Sequence, residues 1–262
     1  MCPILLEEAI LGRVKAGKKP KACIVVHLYG MPAKMNEIIA ICDKYEITLI
    51  EDAAEGLGSK YFDKMAGTMG DFGILSFNGN KIITTSGGGA LICKTQEKSS
   101  YSKFLSTQSR DPAPHYEHSQ IGYNYRMSNI CAGIGRGQLE VLNKRVEKRR
   151  ENYEYYLQNL RSSEVNFLKE PAGFFSNRWL SCIVLENFEQ RESVRNTLLR
   201  NNIESRPLWK PMHLQPVFKD CPSYSNNFSE GLFFNGLCLP SGSNMSFEDL
   251  DRVVEGVKSA IG

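Results

Sequence analysis

The sequence predicts an α/β protein with a mostly parallel sheet, followed by a smaller α+β part. Short apolar runs at 22–29 and 47–50 have the length of strands that are buried on both faces. A segment with helical periodicity lies between them, and two further strand-like runs follow near 72–78 and 90–93. Strand, helix and strand in this order are typical of parallel pairing through a crossover connection.

The first elements follow one another closely along the chain. Residues 3–16 have helical spacing and stop before Gly17. After the first strand, a second helix is predicted because its apolar residues fall on one stripe: Met35, Ile38, Ile39, Cys42 and Tyr45. The second strand ends abruptly in Glu51 and Asp52, and a Gly-rich crossing separates the last two strand-like runs.

The second half of the chain predicts a linking helix and a smaller lobe. Residues 129–160 have a strongly helical pattern. Beyond them we expect a strand near 179–185, a helix near 189–201, an irregular Pro- and Gly-rich stretch at 206–243 and a closing helix. Ser246 and Asp249 resemble a capping box at the start of that last helix. Two domains are therefore predicted, covering residues 1–143 and 144–262.

Composition limits the possible partners and the compartment. The formal net charge is only +3, which argues against nucleic acid as the main partner. The basic stretch 144–150 is interpreted as a solvated helix face, with phosphate contact as the alternative. Glu7 and Glu8 interrupt the N-terminal apolar run, so neither a signal peptide nor a membrane span is predicted. The eight cysteines stand singly without a metal-ligand pattern, which favours reduced thiols in a cytoplasmic protein with no metal site.

Candidate functional groups lie at the predicted carboxyl ends of the strands, where doubly wound sheets bind their ligands. Asp52 directly follows a buried strand, and His27 with Tyr29 ends the preceding one. Lys81 follows Ser76 by five residues, just beyond the third strand. Taken alone, each has a structural alternative: a helix cap or loop carboxylate, a packed histidine, and a surface lysine.

Three longer segments carry a resemblance to a known family: EDAAEGLGS (51–59), GDFGILSFNGNKIITTSGGG (70–89) and GYNYRMSN (122–129). In order and spacing they resemble the DegT-type (StrS-like) sugar-nucleotide aminotransferases, which are fold-type I enzymes dependent on pyridoxal phosphate. Further matching segments extend the resemblance over essentially the whole chain: HLYGMPAKMNEI, IGRGQLEVLNKR and RPLWKPMH. Within the family, the chain is most similar to enzymes that aminate UDP-linked 4-keto-6-deoxy-N-acetylhexosamines.

The resemblance implies roles for particular residues. It implies that Lys81 binds the pyridoxal phosphate covalently and then acts as the general base, and that Asp52 keeps the ring nitrogen protonated. Glu55 matches the position that contacts the ring hydroxyl, and Ser76 matches a hydroxyl ligand of the phosphate. Asn124 matches a side chain that reaches the cofactor phosphate of the partner subunit, which implies a homodimer with shared active sites.

Two further positions, Arg126 and His213, match residues near the nucleotide-sugar. The three glycines at 87–89 are interpreted as a tight crossing between strands, because no dinucleotide-binding glycine pattern opens a helix there. The implied reaction moves an amino group from an amino-acid donor, glutamate, to the C4 ketone of a nucleotide-linked sugar.

In one respect the chain departs from the family pattern. Residues 1–20 do not match the family's first strand and its phosphate-binding turn, so we expect a truncated large domain that binds the cofactor poorly. This leaves a catalytically impaired, folded module as an alternative to the aminotransferase. A dehydratase of the same family would carry histidine in place of Lys81, and a nicotinamide-dependent oxidoreductase would need a glycine fingerprint that the chain lacks.

Overall fold

The computed structural model describes residues 1–161 and 165–262. Its helices are α1 (Pro3–Lys15), α2 (Met35–Lys44), α3 (Gln96–Ser106), α4 (Asn129–Glu140), α5 (Leu142–Asn159), α6 (Phe188–Arg200), α7 (Phe228–Asn235) and α8 (Phe247–Ile261). Its strands are β1 (Ala22–Val26), β2 (Thr48–Asp52), β3 (Lys60–Tyr61), β4 (Lys64–Met65), β5 (Phe72–Ser76), β6 (Gly89–Cys93), β7 (Asn166–Phe167), β8 (Phe174–Phe175), β9 (Ser181–Val184), β10 (Arg206–Pro207) and β11 (Gly236–Leu239). None of the described helices combines the length and apolar character needed to cross a bilayer.

The first sheet has the strand order β1-β2-β5-β6. The pairings of β1 with β2 and of β2 with β5 are parallel, and β6 runs antiparallel to β5. The predicted α/β layering with a mainly parallel sheet is therefore confirmed. In the register of these strands, Asp52 pairs with both Val26 and Ile74, so the carboxyl ends of β1, β2 and β5 meet at one edge.

The prediction that β1 is buried on both faces is wrong for the described chain. Helices α1 and α2 cover the face that carries Cys23 and Val25, and these side chains join a buried apolar cluster with Met35. On the opposite face, Ile24 is 57% exposed. A continuous apolar run does not show which face of a strand is buried, because the burial of each face depends on the elements that pack against it.

Strand β1 also ends earlier than the apolar run predicts. The chain turns after Val26 into a short 3₁₀ turn in which Tyr29 has φ 56° and Gly30 has φ 83°. A Cβ atom at Gly30 would lie 1.8 Å from the side-chain oxygen of Asn177, so glycine is required both for the turn and for this close approach.

The second half of the chain forms a sheet with the order β10-β11-β9-β7, in which all pairings are antiparallel. Helices α5, α6 and α8 share a buried apolar core with this sheet. Ser246 and Asp249 form the capping box that the sequence predicts at the start of α8. The domain boundary predicted between residues 143 and 144 lies within the first turn of α5 and stays a prediction.

A buried carboxylate lies beside the carboxyl edge of the first sheet. Glu51 and His27 are both fully buried, and His27 Nε2 lies 2.9 Å from Glu51 Oε2. Because His27 Nδ1 accepts a hydrogen bond from Ala33 N, Nε2 carries the proton and donates it to Glu51. The predicted structural alternative for His27, a packed histidine, is therefore the one that the structure confirms.

The other partners of Glu51 are backbone amides of the loop before β5. Glu51 Oε1 accepts from Met69 N and Gly70 N, each at 2.5 Å, and Oε2 accepts from Gly67 N at 2.9 Å. Burial acts to raise the pKa of Glu51, but His27 and the amides of Gly70 and Gly67 bring it below its ordinary value. The carboxylate thus holds the loop that leads into β5.

We expect Glu51→Gln to lower the free energy of unfolding by about 2–4 kcal/mol at pH 7, because buried amide donors lose their charged acceptor. Since the pKa is lowered in the folded state, the stabilisation by Glu51 exists above its unfolded pKa and disappears as the pH falls through the folded value. Urea unfolding at pH 7 and in acid measures both effects. Glu8→Gln, on an exposed position, is the control and should change little. Equal stability of the two variants would contradict the assignment.

Candidate active site

Lys81 lies in the loop between β5 and β6, at the carboxyl edge of the first sheet. Its amide donates to Asn78 O at 3.1 Å, and its side chain is 14% exposed. The amine Nζ lies 4.0 Å from Glu55 Oε1 and 4.6 Å from the centroid of the Trp179 ring. The surface-lysine alternative is therefore wrong, because this amine is enclosed between a carboxylate and an indole.

Glu55 follows β2 by three residues and is itself held in place. Its Oε2 accepts from Tyr29 N at 2.6 Å, and its Oε1 accepts from Trp209 Nε1 at 3.3 Å. Burial raises the pKa of Glu55, and the hydrogen bonds together with nearby Lys81 only partly oppose that rise. The carboxyl group therefore keeps its proton to a higher pH than an exposed glutamate does.

Three aromatic rings form the wall around these two groups. Tyr29 and Trp209 have ring centroids 5.5 Å apart, and Trp209 and Trp179 have centroids 6.3 Å apart. Trp209 N donates to the Tyr29 hydroxyl oxygen at 2.6 Å, which joins the second half of the chain to the first. Trp209 is 37% exposed, so its ring forms the solvent-facing part of this wall.

Asp52 and Ser76 end neighbouring parallel strands. Asp52 Oδ1 accepts from Ala54 N at 3.1 Å, and the carboxylate forms no ion pair within the described part of the chain. Ser76 Oγ accepts from Asn78 N at 3.4 Å. Because Asp52 pairs with Ile74, Ser76 lies two residues further along β5 at the same edge. The structure therefore brings Asp52, Glu55, Ser76 and Lys81 to one region.

The remaining three candidates lie apart from this group. Asn124 is exposed and its backbone forms an isolated bridge with Thr107. Arg126 lines a cavity of about 780 Å³ that α3, α4 and β6 enclose in part. His213 Nε2 lies 2.7 Å from Glu230 Oε1. Among the described residues, no hydrogen bond or ion pair joins these three side chains to Lys81, so their roles stay predictions.

Sequence reasoning missed two members of the site, Trp179 and Trp209. They are the only tryptophans in the chain, and both lie within this aromatic wall. Trp209 falls in the segment RPLWKPMH, which contributes to the family resemblance, but the resemblance implies no role for this tryptophan. Trp179 carried no local signal, because its contact with Lys81 depends on how the second half of the chain packs against the first.

Comparison with known proteins places the chain in a family. The model of the DegT/DnrJ/EryC1/StrS aminotransferase family matches residues 1–258. The chain is 50% identical over 260 residues to a Bacillus subtilis (strain 168) protein named as a pyridoxal phosphate-dependent aminotransferase, EpsN, covering 97% of this chain and 67% of the relative. It is 38% identical over 246 residues to GDP-perosamine synthase of Escherichia coli O157:H7, covering 93% of this chain and 66% of that protein.

A solved structure agrees with these relatives. The crystal structure of a DegT DnrJ EryC1 StrS aminotransferase from Brucella abortus is similar with a TM-score of 0.92 and 30% identity. The similarity covers 100% of this chain and 70% of that one. The chain spans about two thirds of the length of the curated relatives named above. The chain therefore belongs to the DegT/DnrJ/EryC1/StrS aminotransferase family, a family of pyridoxal-phosphate-dependent sugar aminotransferases.

Proposed function

We propose that this chain transfers an amino group from glutamate to the C4 ketone of a nucleotide-linked 4-keto-6-deoxy-amino sugar, for polysaccharide or glycan biosynthesis. The observation that carries the proposal is the enclosed amine of Lys81, 4.0 Å from the Glu55 carboxylate at the carboxyl edge of the sheet. Ligands bind at this edge in open α/β sheets. Family membership supports the reaction class.

The residues at this edge fit pyridoxal phosphate. The cofactor needs an amine to bind its aldehyde, a carboxylate beside its ring nitrogen and hydroxyl or amide donors for its phosphate. Lys81 is the amine, and Asp52 is a partly buried carboxylate without a cationic partner in the described chain. Ser76 has a hydroxyl at the same edge. These groups would hold the cofactor at the carboxyl ends of β2 and β5.

When bound, the cofactor supplies a ring that withdraws electrons from the substrate carbon next to the nitrogen. In the proposed reaction, Lys81 holds the cofactor and later moves a proton at its Nζ, which requires the neutral amine. Asp52 would keep the ring nitrogen of the cofactor protonated through the charge of its carboxylate. The Lys81 side chain is 14% exposed and lies against the Trp179 ring, and this partial burial strengthens these charge interactions.

The relatives differ in the nucleotide of their substrates, and they include proteins named for UDP-, GDP- and dTDP-linked sugars. The segments SFNGNKIITTSGGG and RPLWKPMH favour a UDP-linked sugar, because they resemble the enzymes that aminate such substrates. The relative named GDP-perosamine synthase supports a GDP-linked sugar instead. We propose the UDP-linked substrate, and an assay that offers both sugars with glutamate decides between them.

The proposed assembly is a homodimer in the cytoplasm. In this assembly Asn124 reaches the cofactor phosphate of the partner subunit, and its exposure in the single chain supports that role. Arg126 and His213 are proposed to contact the nucleotide-sugar. We further propose that residues 1–143 form the cofactor-binding domain and residues 144–262 the linking helix and small domain.

We expect Lys81→Ala and Lys81→Arg each to reduce amine transfer by about 1000-fold or more, because neither side chain can bind the cofactor covalently and act as the base. The visible spectrum with added pyridoxal phosphate, recorded before and after borohydride reduction, should lose its cofactor band in both variants. Peptide mapping of the reduced parent should find the cofactor on Lys81. The exposed Lys64→Ala is the control. Finding the cofactor on another lysine would end the assignment.

We expect Asp52→Asn to reduce transition-state stabilisation by about 2–4 kcal/mol, as for the loss of one preorganised electrostatic partner. At about 1.4 kcal/mol per factor of ten, kcat should fall by about 30- to 1000-fold while cofactor affinity falls less. Steady-state kinetics and a cofactor titration measure the two effects. Asp43→Asn, on the exposed side of α2, should behave like the parent. An unchanged kcat would mean that Asp52 is only a loop carboxylate.

We expect Glu55→Gln to gain stability relative to the parent as the pH rises from 4 to 7. A raised pKa means that the contribution of Glu55 to stability is largest below the ordinary value of 4.5 and declines as the pH rises through the higher folded value. Glutamine keeps an oxygen for Tyr29 N without the buried charge. Thermal unfolding of both proteins across this range tests the sign. A constant difference between the two midpoints would show that Glu55 is not destabilised by burial.

A further inference from the structure

The second half of the chain places an indole ring against the amine of Lys81. We propose that Trp179 is a positioning residue for Lys81: its ring, and the hydrogen bonds that hold the ring, fix the amine at one place at the carboxyl edge of the sheet. The proposal rests on the role of Lys81 in the proposed function, and it assigns a role to a residue that does not itself react.

The contact between the two side chains is close and enclosed. Lys81 Nζ lies 4.6 Å from the ring centroid of Trp179, within the range over which an ammonium is attracted to an aromatic face. Trp179 is 2% exposed, so the ring has no room to turn away. The carboxylate of Glu55, at 4.0 Å, is the only ion-pair partner of this amine in the described chain, and that distance is longer than a hydrogen bond.

Three hydrogen bonds hold Trp179, one through its ring and two through its backbone. Trp179 Nε1 donates to Asn80 O at 2.8 Å, and Trp179 N donates to Asn177 Oδ1 at 2.8 Å. The carbonyl oxygen of Trp179 accepts from Arg149. Because Asn80 directly precedes Lys81, the same indole holds the main chain beside the lysine and the amine at its end.

The segment around Trp179 also fixes the other partner of the amine. Asn177 Nδ2 donates to Glu55 O and to Leu57 O, each at 2.8 Å. The backbone of Glu55 and the ring of Trp179 are therefore tied to one another through Asn177. A shift of this segment would move both groups that flank the Lys81 amine.

A lysine needs such support more than most residues do. Its four-carbon stem gives it many rotamers, and ordering them is unfavourable unless other contacts select one. An aliphatic side chain at position 179 would fill space, but it would give no electrostatic preference for the amine. An aromatic ring fills the space and also attracts the amine. A role in packing alone therefore predicts similar results for phenylalanine and methionine at position 179, whereas a role in positioning predicts different ones.

The test uses the 262-residue chain without cofactor, and compares Trp179→Met with Trp179→Phe. A small acylating reagent labels lysines, and peptide mapping gives the rate at Lys81 relative to the exposed Lys64. In Trp179→Met the amine is released, so its relative rate should rise by about 5-fold or more. In Trp179→Phe the aromatic face remains, and the rate should stay within about 2-fold of the parent.

The controls separate positioning from loss of stability. Ile183→Ala, on β9 in the core of the second half, should lower the thermal midpoint without changing the relative rate at Lys81. Equal rates at Lys81 in the methionine and phenylalanine variants, or rates that only follow the thermal midpoints of all three variants, would overturn the proposal.

A second measurement uses the fluorescence of Trp179 to detect its contact with Lys81. It does not require that Trp179→Met folds. In a Trp209→Phe background, Trp179 is the only tryptophan. Lys81→Met should then change the intensity of Trp179 emission, because the amine leaves the face of the ring. Lys64→Met should leave it unchanged. Identical emission with and without Lys81 would also overturn the proposal.

Neither measurement uses cofactor or substrate. If the chain failed to transaminate while the labelling rates behaved as expected, the proposed function would fail and the positioning of Lys81 would stand. If transamination were found and the rates did not respond to position 179, the proposed function would stand and the role of Trp179 would fail.

Discussion

The candidate site depends on the hydrogen bonds that the buried carboxylate of Glu51 accepts. A fully buried charge is stable only if hydrogen bonds replace its water, and here His27 and three backbone amides do so. Because the amides belong to the loop before β5, Glu51 holds the chain that leads into that strand. His27 accepts in turn from Ala33 N, so the same charge also fixes the chain that leaves β1. Asp52 is the next residue along β2, at the edge of this network.

From that edge the site is completed by residues of the second half of the chain. Trp209 N donates to the Tyr29 hydroxyl, and Asn177 donates to the backbone of Glu55 and Leu57. These bonds join two parts that each have an apolar core, beside a third buried cluster to which both parts contribute. A buried hydrogen bond is specific in direction, whereas apolar contact is not, so these bonds define how one part is oriented on the other. The position of the Lys81 amine follows from that orientation.

The local elements could be predicted because their causes are local. The capping box of α8 needs only Ser246 and Asp249, three residues apart, and it forms as the sequence predicts. The apolar stripe of α2 likewise depends only on residues in neighbouring helical turns. Its members Met35, Ile38 and Cys42 are buried as expected. Lys81 and Asp52 could be singled out because a resemblance in order and spacing added information that neither residue carries alone.

The sequence by itself thus determined the elements, their order, and the residue types available at the carboxyl edge of the sheet. Only the tertiary structure decided that Ile24 is exposed while Val25 is buried. It also decided that Glu51, and not His27 alone, organises the carboxyl edge of the sheet. The contact between Trp179 and Lys81 likewise follows from the tertiary structure. The physical reason is the range of the interactions concerned. Periodicity and capping act within a few residues, whereas burial of a strand face and contact between distant side chains depend on the path of the whole chain.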